Sequence, residues 1–535
     1  MAIIRKYPAG IQSFETIRTD GYVYVDKTAY IYKLMSTGMT YFLSRPRRFG
    51  KSLLVSTLAA LFEGKRELFE AFTTKDGIEQ PALYISTTDW EWEKYPVLRF
   101  DFSQVGKNEE DSINEYIDRI LTIYEKTYSI NNSLKTQSNR LSEIIQTAHA
   151  VTGKKAVVLV DEYDNQILKS IGNPAKEAAI RETFMGLFAP LKGLDEHLRF
   201  VFITGISKFS QMGIFSQLNN LNNISMQPDY DCICGISEEE LTSSLADDIR
   251  LLAERRSENY DETLASLKKR YDGYHFSHMM TDIYNPFSVV KALHSAELSD
   301  YWFDSATPRA LIDMLSQMPP LELPMIENVE CMSSEFDIPF DSYNAPLPAL
   351  YQSGYLTIKD FDRDEEVFTL GFPNEEVRRG FANILYKHVS GRAGKDDPDL
   401  SVFFKAYRHF RRTDDLPAFI EAIKTFYSGI PYHLENHNER HYHAILYTLL
   451  SAFGADLNAE EPSAKGRADI ILRMPLGIYV IEIKYDGTAD EALQQIRDKG
   501  YANKYRLDGR HVTCVGINFS SKERNITEWK SYNIN

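Results

Sequence analysis

Two short constellations in this chain of 535 residues combine residue types that handle phosphate. The first is Gly50-Lys51-Ser52, set between an apolar run at Tyr41 to Leu43 and an amphipathic stretch, LLVSTLAALF. A strand, a loop and a helix in that order make a phosphate cradle, because loop amides and the helix N-terminus then point at the anion. The cradle spans Arg45 to Ser52, namely Arg45, Pro46, Arg47, Arg48, Phe49, Gly50, Lys51 and Ser52. Lys51 is placed to reach the terminal phosphates of ATP and Ser52 to reach magnesium. The usual pattern G-x-x-x-x-G-K-[ST] puts a glycine where Arg45 stands. A second element supports the first: Val157 to Val160 are apolar, and Asp161-Glu162 follow where a strand would end. There Asp161 can hold magnesium and Glu162 can polarise an attacking water, which suits a reaction catalysed mostly by positioning and charge neutralisation. A buried strand ending in a solvated acidic turn is the alternative. Thr204 and Ser207, at the end of a third apolar run, stand where a sensor of the γ-phosphate would sit, or where a strand end is capped. Arg47 and Arg48 either clamp phosphate charge from within the loop or lie solvated upon it.

The second constellation lies near the C-terminus. Asp469 opens the run ADIILRM, and after twelve intervening residues Glu482 and Lys484 close GIYVIEIKY. Residues i and i+2 share a strand face, so Glu482 and Lys484 project together, and a hairpin brings Asp469 beside them. Two carboxylates and an ammonium can hold magnesium and stabilise the charge that develops in phosphodiester cleavage. Nearby, His433, His437, His441 and His443 crowd around Glu439, but the run HNERH misplaces the glutamate that H-E-x-x-H zinc chemistry needs. Cys232 and Cys234 form one C-x-C pair, too few ligands for a zinc site.

These residues need elements to position them. Tyr95 to Ser103, Ala156 to Asp164 and Leu198 to Ile206 are continuous apolar runs separated by helical stretches, the pattern of buried parallel strands in an α/β sheet. From Ser237 to His294 the periodicity turns helical, with Ser237 and Glu240 spaced as a capping box. Six prolines between Met318 and Leu350 predict an irregular connector. Helical periodicity returns at Leu416 to Tyr427 and Tyr442 to Phe453, followed by the two strands of the hairpin, a helix from Ala489 and a last strand at His511 to Ile517.

Composition is that of a globular protein, with 43% hydrophobic and 25% charged residues, and the length predicts about three domains. The net charge of −16 argues against nonspecific coating of nucleic acid. The last hundred or so residues sum to roughly −1, so the acidity precedes them. Four cysteines cannot make a disulfide framework, MAIIRKYPAG lacks the apolar core of a signal peptide, and no 18 apolar residues run together. A cytoplasmic protein with no membrane partner is expected.

The chain resembles bacterial AAA-like ATPases that carry a C-terminal PD-(D/E)XK nuclease-like domain. The resemblance rests on VDKT at Val25 to Thr28, RPRRFGKSLL at Arg45 to Leu54, VDEYD at Val160 to Asp164, FITGISKFS at Phe202 to Ser210 and IFSQLNNL at Ile214 to Leu221. It continues in YDGYHF at Tyr271 to Phe276, YNPFS at Tyr284 to Ser288 and LYQSGYLTI at Leu350 to Ile358. Arginine at position 45 is part of that family's pattern. The resemblance implies an α/β fold: a P-loop ATPase domain over 1–235, a helical accessory and connector region over 236–430, and a PD-(D/E)XK nuclease-like domain over 431–535. Asp469, Glu482 and Lys484 match the nuclease motif, with Ala468 where its proline is expected. Glu439 matches an acidic residue that members add from the preceding helix, and Gln495 a polar residue of the following helix. Implied with these are ATP and Mg2+ as cofactors, DNA as partner of the C-terminal domain, and a homo-oligomer. An ATPase coupled to a magnesium-dependent DNA nuclease is expected; a nucleotide-switched binding module with an inactive nuclease-like domain is the alternative.

Overall fold

The computed structural model describes residues 5–106, 112–131, 134–170, 173–207, 221–302, 326–337, 346–389, 398–429, 439–463 and 466–534. The chain divides into two compact units, one of Met1–Met314 with Val329–Glu376, the other of Leu315–Asn328 with Val377–Asn535.

In the first unit, strand β1 (Thr40–Ser44) leads through the phosphate-type loop into helix α1 (Lys51–Phe62). Strands β2 (Val97–Asp101), β3 (Ala156–Asp161), β4 (Leu198–Gly205) and the short β5 (Asn222–Asn223) complete a parallel sheet of order β2-β3-β4-β1-β5. All six residues of β3 are buried, as a central strand covered on both faces must be. Helices Ser112–Thr127, Gln137–Thr152 and Pro174–Phe188 pack Ile117, Leu141 and Phe184 against Phe100, Val158 and Phe102. Helix α1 differs from its amphipathic reading: every residue from Leu54 to Phe62 is buried, because the helix lies within the core. In a parallel sheet all C-terminal strand ends share one edge, where ligands of open α/β sheets bind. The loop after β1 and the acidic pair ending β3 therefore lie on the same edge, either side of β4.

The helical region of this unit holds Glu238–Ser244, Ala246–Arg256, Tyr260–Tyr271 and Pro286–Ser295, packed through Leu241, Ile249, Leu267 and Val289. The Ser237–Glu240 capping box forms as its spacing predicts. The proline-rich connector is more regular than expected where it is described. Val329–Cys331 is a strand pairing antiparallel with Val367–Gly371, which in turn pairs with Thr357–Asp362, and Pro346–Ser353 is helical. Proline tolerates a first helical position, as at Pro346.

In the second unit, helix α2 (Glu439–Ala452) precedes strands β6 (Asp456–Ser463), β7 (Gly466–Arg473) and β8 (Gly477–Tyr485); helix α3 (Ala489–Lys499) crosses to β9 (His511–Ser520), and β10 (Asn525–Ile534) ends the sheet. Its order is β6-β7-β8-β9-β10, antiparallel except for the β8/β9 pair. The predicted hairpin is β7 and β8, in register from Ile470 opposite Ile481 to Arg473 opposite Ile478. The outer strands β6 and β10 lie beyond the sequence expectations, and β9 continues three residues past Ile517. Gly516 of β9 admits α3, since a Cβ there would stand 2.4 Å from the Ala489 carbonyl oxygen. Among the described residues no helix is long and apolar enough to cross a membrane.

Candidate functional site: a phosphate loop and a carboxylate hairpin

The loop after β1 is fastened from behind. The Arg45 guanidinium, fully buried, donates to the carbonyls of Ser44 (3.0 Å), Ser225 (2.7 Å) and Tyr230 (3.0 Å), and lies 4.0 Å from the Phe276 ring centre. Phe49 buries its ring edge-on against Tyr274 and Phe276. The Trp302 indole donates to the Arg47 carbonyl at 3.1 Å. These anchors hold a backbone that turns through positive φ at Arg48 (68°) and Gly50 (93°). The second position suits glycine, which alone takes that conformation without cost. The arginine at the pattern's first glycine position thus supports the loop from behind, while Phe49 also contributes to the lining of the cavity in front of it. Arg48 is exposed, 4.8 Å over the Phe287 ring, and Arg47 is half-buried.

Lys51 is buried, and its ammonium donates to the carbonyls of Arg45 (2.8 Å) and Pro46 (2.9 Å). Burial lowers its pKa, with Glu162, Asp164 and Asp161 opposing. Across from it, burial raises Asp161 to about 6 against a hydrogen bond from Ser52, and Asp161 Oδ1 has no partner among the described residues. Glu162 takes φ 50° at the strand end, and burial raises its pKa while Lys51 lowers it. A hydroxyl and a buried carboxylate with an unpartnered oxygen, beside a lysine, fit a hydrated divalent cation bridging to phosphate.

Thr204 and Ser207 take the capping alternative. Thr204, fully buried, donates to the Leu43 carbonyl at 2.9 Å. The Ser207 hydroxyl donates to Asp164 Oδ2 at 2.7 Å, which also accepts from the amides of Ile206 and Ser207. Asp164, which sequence reasoning left without a role, therefore fixes the end of β4; its signal was the last residue of VDEYD. In front of the loop lies a cavity of 380 Å3, lined among others by Arg47, Gly50, Lys51, Ser52, Glu162 and Phe287, a volume in the usual range of small-molecule sites.

In the second unit, the hairpin brings Asp469, Glu482 and Lys484 together as their spacing predicts. Glu482 is 1% exposed. Its Oε1 accepts from Lys484 Nζ at 3.3 Å and from the Gln495 amide on α3, while Oε2 has no partner among the described residues. Asp469 Oδ2 accepts from the Ile483 amide at 2.7 Å. Burial, and then the neighbouring Asp469 carboxylate, push the Glu482 carboxyl well above its ordinary range, with Lys484 opposing. Glu439 begins helix α2, but its side chain lies outside the described residues, as do His433, His437 and the side chain of His441. His443 is placed: its Nε2 is 2.8 Å from the Asp469 carbonyl oxygen. Sequence reasoning weighed it only as a metal ligand, and its position four residues after Glu439, on the same helix face, was the available signal. Two carboxylates, one with an open oxygen, a lysine and an amide donor fit a divalent cation and a phosphodiester.

Residues 8–215 match a family model described as "Predicted AAA-ATPase", and residues 437–529 match the PD-(D/E)XK nuclease superfamily. The chain is 32% identical, over 539 residues and 98% of both chains, to the "Uncharacterized protein in vnfD 5'region" of Azotobacter chroococcum mcd 1. Among solved structures it is similar to the Aeropyrum pernix ORC1 protein in complex with DNA, at 10% identity and a TM-score of 0.23, over 68% of this chain and 92% of that one. A likeness of that size carries no argument about function.

Proposed function

The chain belongs to the family of predicted AAA-ATPases that carry a C-terminal domain of the PD-(D/E)XK nuclease superfamily, and from that premise we propose that it hydrolyses ATP and couples nucleotide state to a magnesium-dependent DNA nuclease. One observation carries the reading: each site holds a buried carboxylate with one oxygen unpartnered among the described residues, Asp161 Oδ1 and Glu482 Oε2, beside a lysine. At the first site Lys51 exchanges its loop carbonyls for the terminal phosphates, Ser52 and Asp161 hold the cation, Glu162 polarises the attacking water, and Arg47 and Arg48 flank the anion. At the second, Asp469 and Glu482 hold the cation, Lys484 faces the scissile phosphate, and Gln495 orients Glu482, with Glu439 as a further acid. Magnesium, when bound, supplies charge neutralisation at both sites. In this reading 1–235 is the ATPase, 236–430 the accessory region and 431–535 the nuclease, acting in the cytoplasm as a homo-oligomer.

The test is cleavage of circular and linear DNA by the purified protein with magnesium, with and without ATP. Asp469→Ala should lower cleavage by at least about 100-fold, since even outer-shell partners of metal ligands contribute roughly 10- to 100-fold. Lys51→Ala should change the ATP dependence. One feature favours the alternative, a nucleotide-switched binding module: Lys51 is tied to the Arg45 and Pro46 carbonyls, so nucleotide binding must first release its ammonium from the loop. No cleavage under any condition, with ATP still bound, selects that alternative.

A further inference from the structure

Helix Pro398–Thr413 of the second unit carries Arg408, Arg411 and Arg412 at i, i+3 and i+4, positions that share one helix face. All three are exposed, and none forms an ion pair or hydrogen bond with a described residue. Like charges so spaced destabilise the helix that bears them. The helix C-terminus offsets this for Arg411 and Arg412 in the last turn, whereas Arg408, a turn earlier, has only the exposed Phe404 ring 5.7 Å from its guanidinium. With Pro475 the three enclose an open cavity of 280 Å3. Pro475 sits in the turn between β7 and β8, the strands that carry Asp469 and Glu482. At the same turn Arg510 donates to the Met474 carbonyl at 3.0 Å.

We propose that Arg408, Arg411 and Arg412 form an anchoring site for the phosphate backbone of a nucleic-acid duplex engaged at Asp469 and Glu482; this rests on the nuclease reading above. Guanidinium forks match phosphate oxygens and keep their charge at every working pH. The spacing points to a regular polyanion. Asp469 and Arg473 are four residues apart on one strand, roughly 13 Å at about 3.3 Å per residue, and the arginine cavity lies at the turn beyond. Phosphates of one DNA strand advance about 3.4 Å each along the axis, so a duplex held at the carboxylates offers the arginines phosphates about four to six positions away.

Binding of a labelled duplex to the full-length protein, measured by fluorescence anisotropy in chelator across a salt range, tests this apart from cleavage. Replacing all three arginines by alanine should weaken binding roughly tenfold or more and lower the slope of log affinity against log salt by about 2 to 3. Lysine at the three positions should restore most of both, and a glutamine triple variant replaces the alanine one if that fails to fold. An alanine variant with wild-type affinity and slope overturns the anchoring site, and leaves the nuclease reading intact if Asp469→Ala still abolishes cleavage. A wild-type protein that ignores the duplex but binds polyglutamate through these arginines also overturns it, assigning the site to an acidic polypeptide. A protein that neither binds nor cleaves DNA overturns the nuclease reading and the anchor together.

Discussion

Asp161 is a buried carboxylate with one oxygen unpartnered among the described residues, and burial raises its pKa to about 6, which makes its setting measurable. An unfolded aspartate titrates near 4, so the folded state binds the proton more tightly, and stability falls as pH rises from about 4 to about 7. The difference of about two units corresponds to roughly 3 kcal/mol at alkaline pH. Asp161→Asn should therefore raise the melting temperature of the nucleotide-free protein at pH 8, lose that gain below about pH 4, and weaken magnesium-dependent ATP binding. Thermal unfolding across pH with and without nucleotide checks both; equal gains at all pH values would remove the argument. The placement of Gly50-Lys51-Ser52 between a strand and a helix, of Asp161 at a strand end and of Glu482 beside Lys484 was legible because it depends on neighbours a few positions away. The settings of Arg45 and Thr204 were not, because their partners include carbonyls supplied by residues far away in sequence, Ser225 and Tyr230 for the first and Leu43 for the second. Asp164 was given no role and His443 was weighed only as a metal ligand for a related reason: each bonds to a residue that only the fold brings close.

At the scale of elements, helix α3 is what brings Gln495 to Glu482, and α3 can lie on β9 only where Gly516 leaves room. Gly516→Ala would set a methyl 2.4 Å from the Ala489 carbonyl and 2.9 Å from Leu493 Cγ. Overpacking of this kind costs about 1–3 kcal/mol, so the variant should melt earlier and cleave more slowly, while ATP binding by the first unit stays unchanged. Unaltered melting would mean that α3 shifts without penalty. The buried strands β3, β4, β7 and β8 were legible as continuous apolar runs. Strand β6 was not: DLNAEEPS is polar and includes Pro462, a composition that reads as loop until a neighbouring strand supplies its ladder. The same applies to β10, an outer strand with one buried residue, Ile526, among exposed and half-exposed ones. The strand at Val329–Cys331 was hidden by the prolines around it.

For the whole molecule, the second unit draws in Leu315–Asn328 from before the segment Val329–Glu376. Glu327 joins it to the rest: its carboxylate accepts from Arg378 Nε at 2.6 Å and from the Tyr447 hydroxyl at 2.7 Å. Both ionic side chains are about one-fifth exposed, and breaking such a largely buried pair costs about 3 kcal/mol, the low end for buried pairs. Glu327→Ala in the full-length chain should lower the unfolding temperature of the second unit while leaving the first unchanged, as separate calorimetric transitions would reveal. The helix bearing Arg408, Arg411 and Arg412 also belongs to this unit, whereas composition alone had made the C-terminal part nearly neutral. Domain membership depends on contacts far apart in sequence, which spacing along the chain does not encode.

The buried guanidinium beneath the phosphate loop has a consequence for how freely the chain can change. The hydrogen bonds of Arg45 go to main-chain oxygens, of Ser44, Ser225 and Tyr230, and every amino acid carries such an oxygen. That part of the bracing depends on the path of the backbone, whereas the ring contacts of Arg45 and Phe49 with Phe276 and the hydrogen bond from the Trp302 indole depend on the side chains. Their carbonyls would serve with any side chain, although Ser225 is held by a second role, its hydroxyl accepting from the Ser44 amide at 2.8 Å; position 45 admits no side chain that lacks a planar fork of donors.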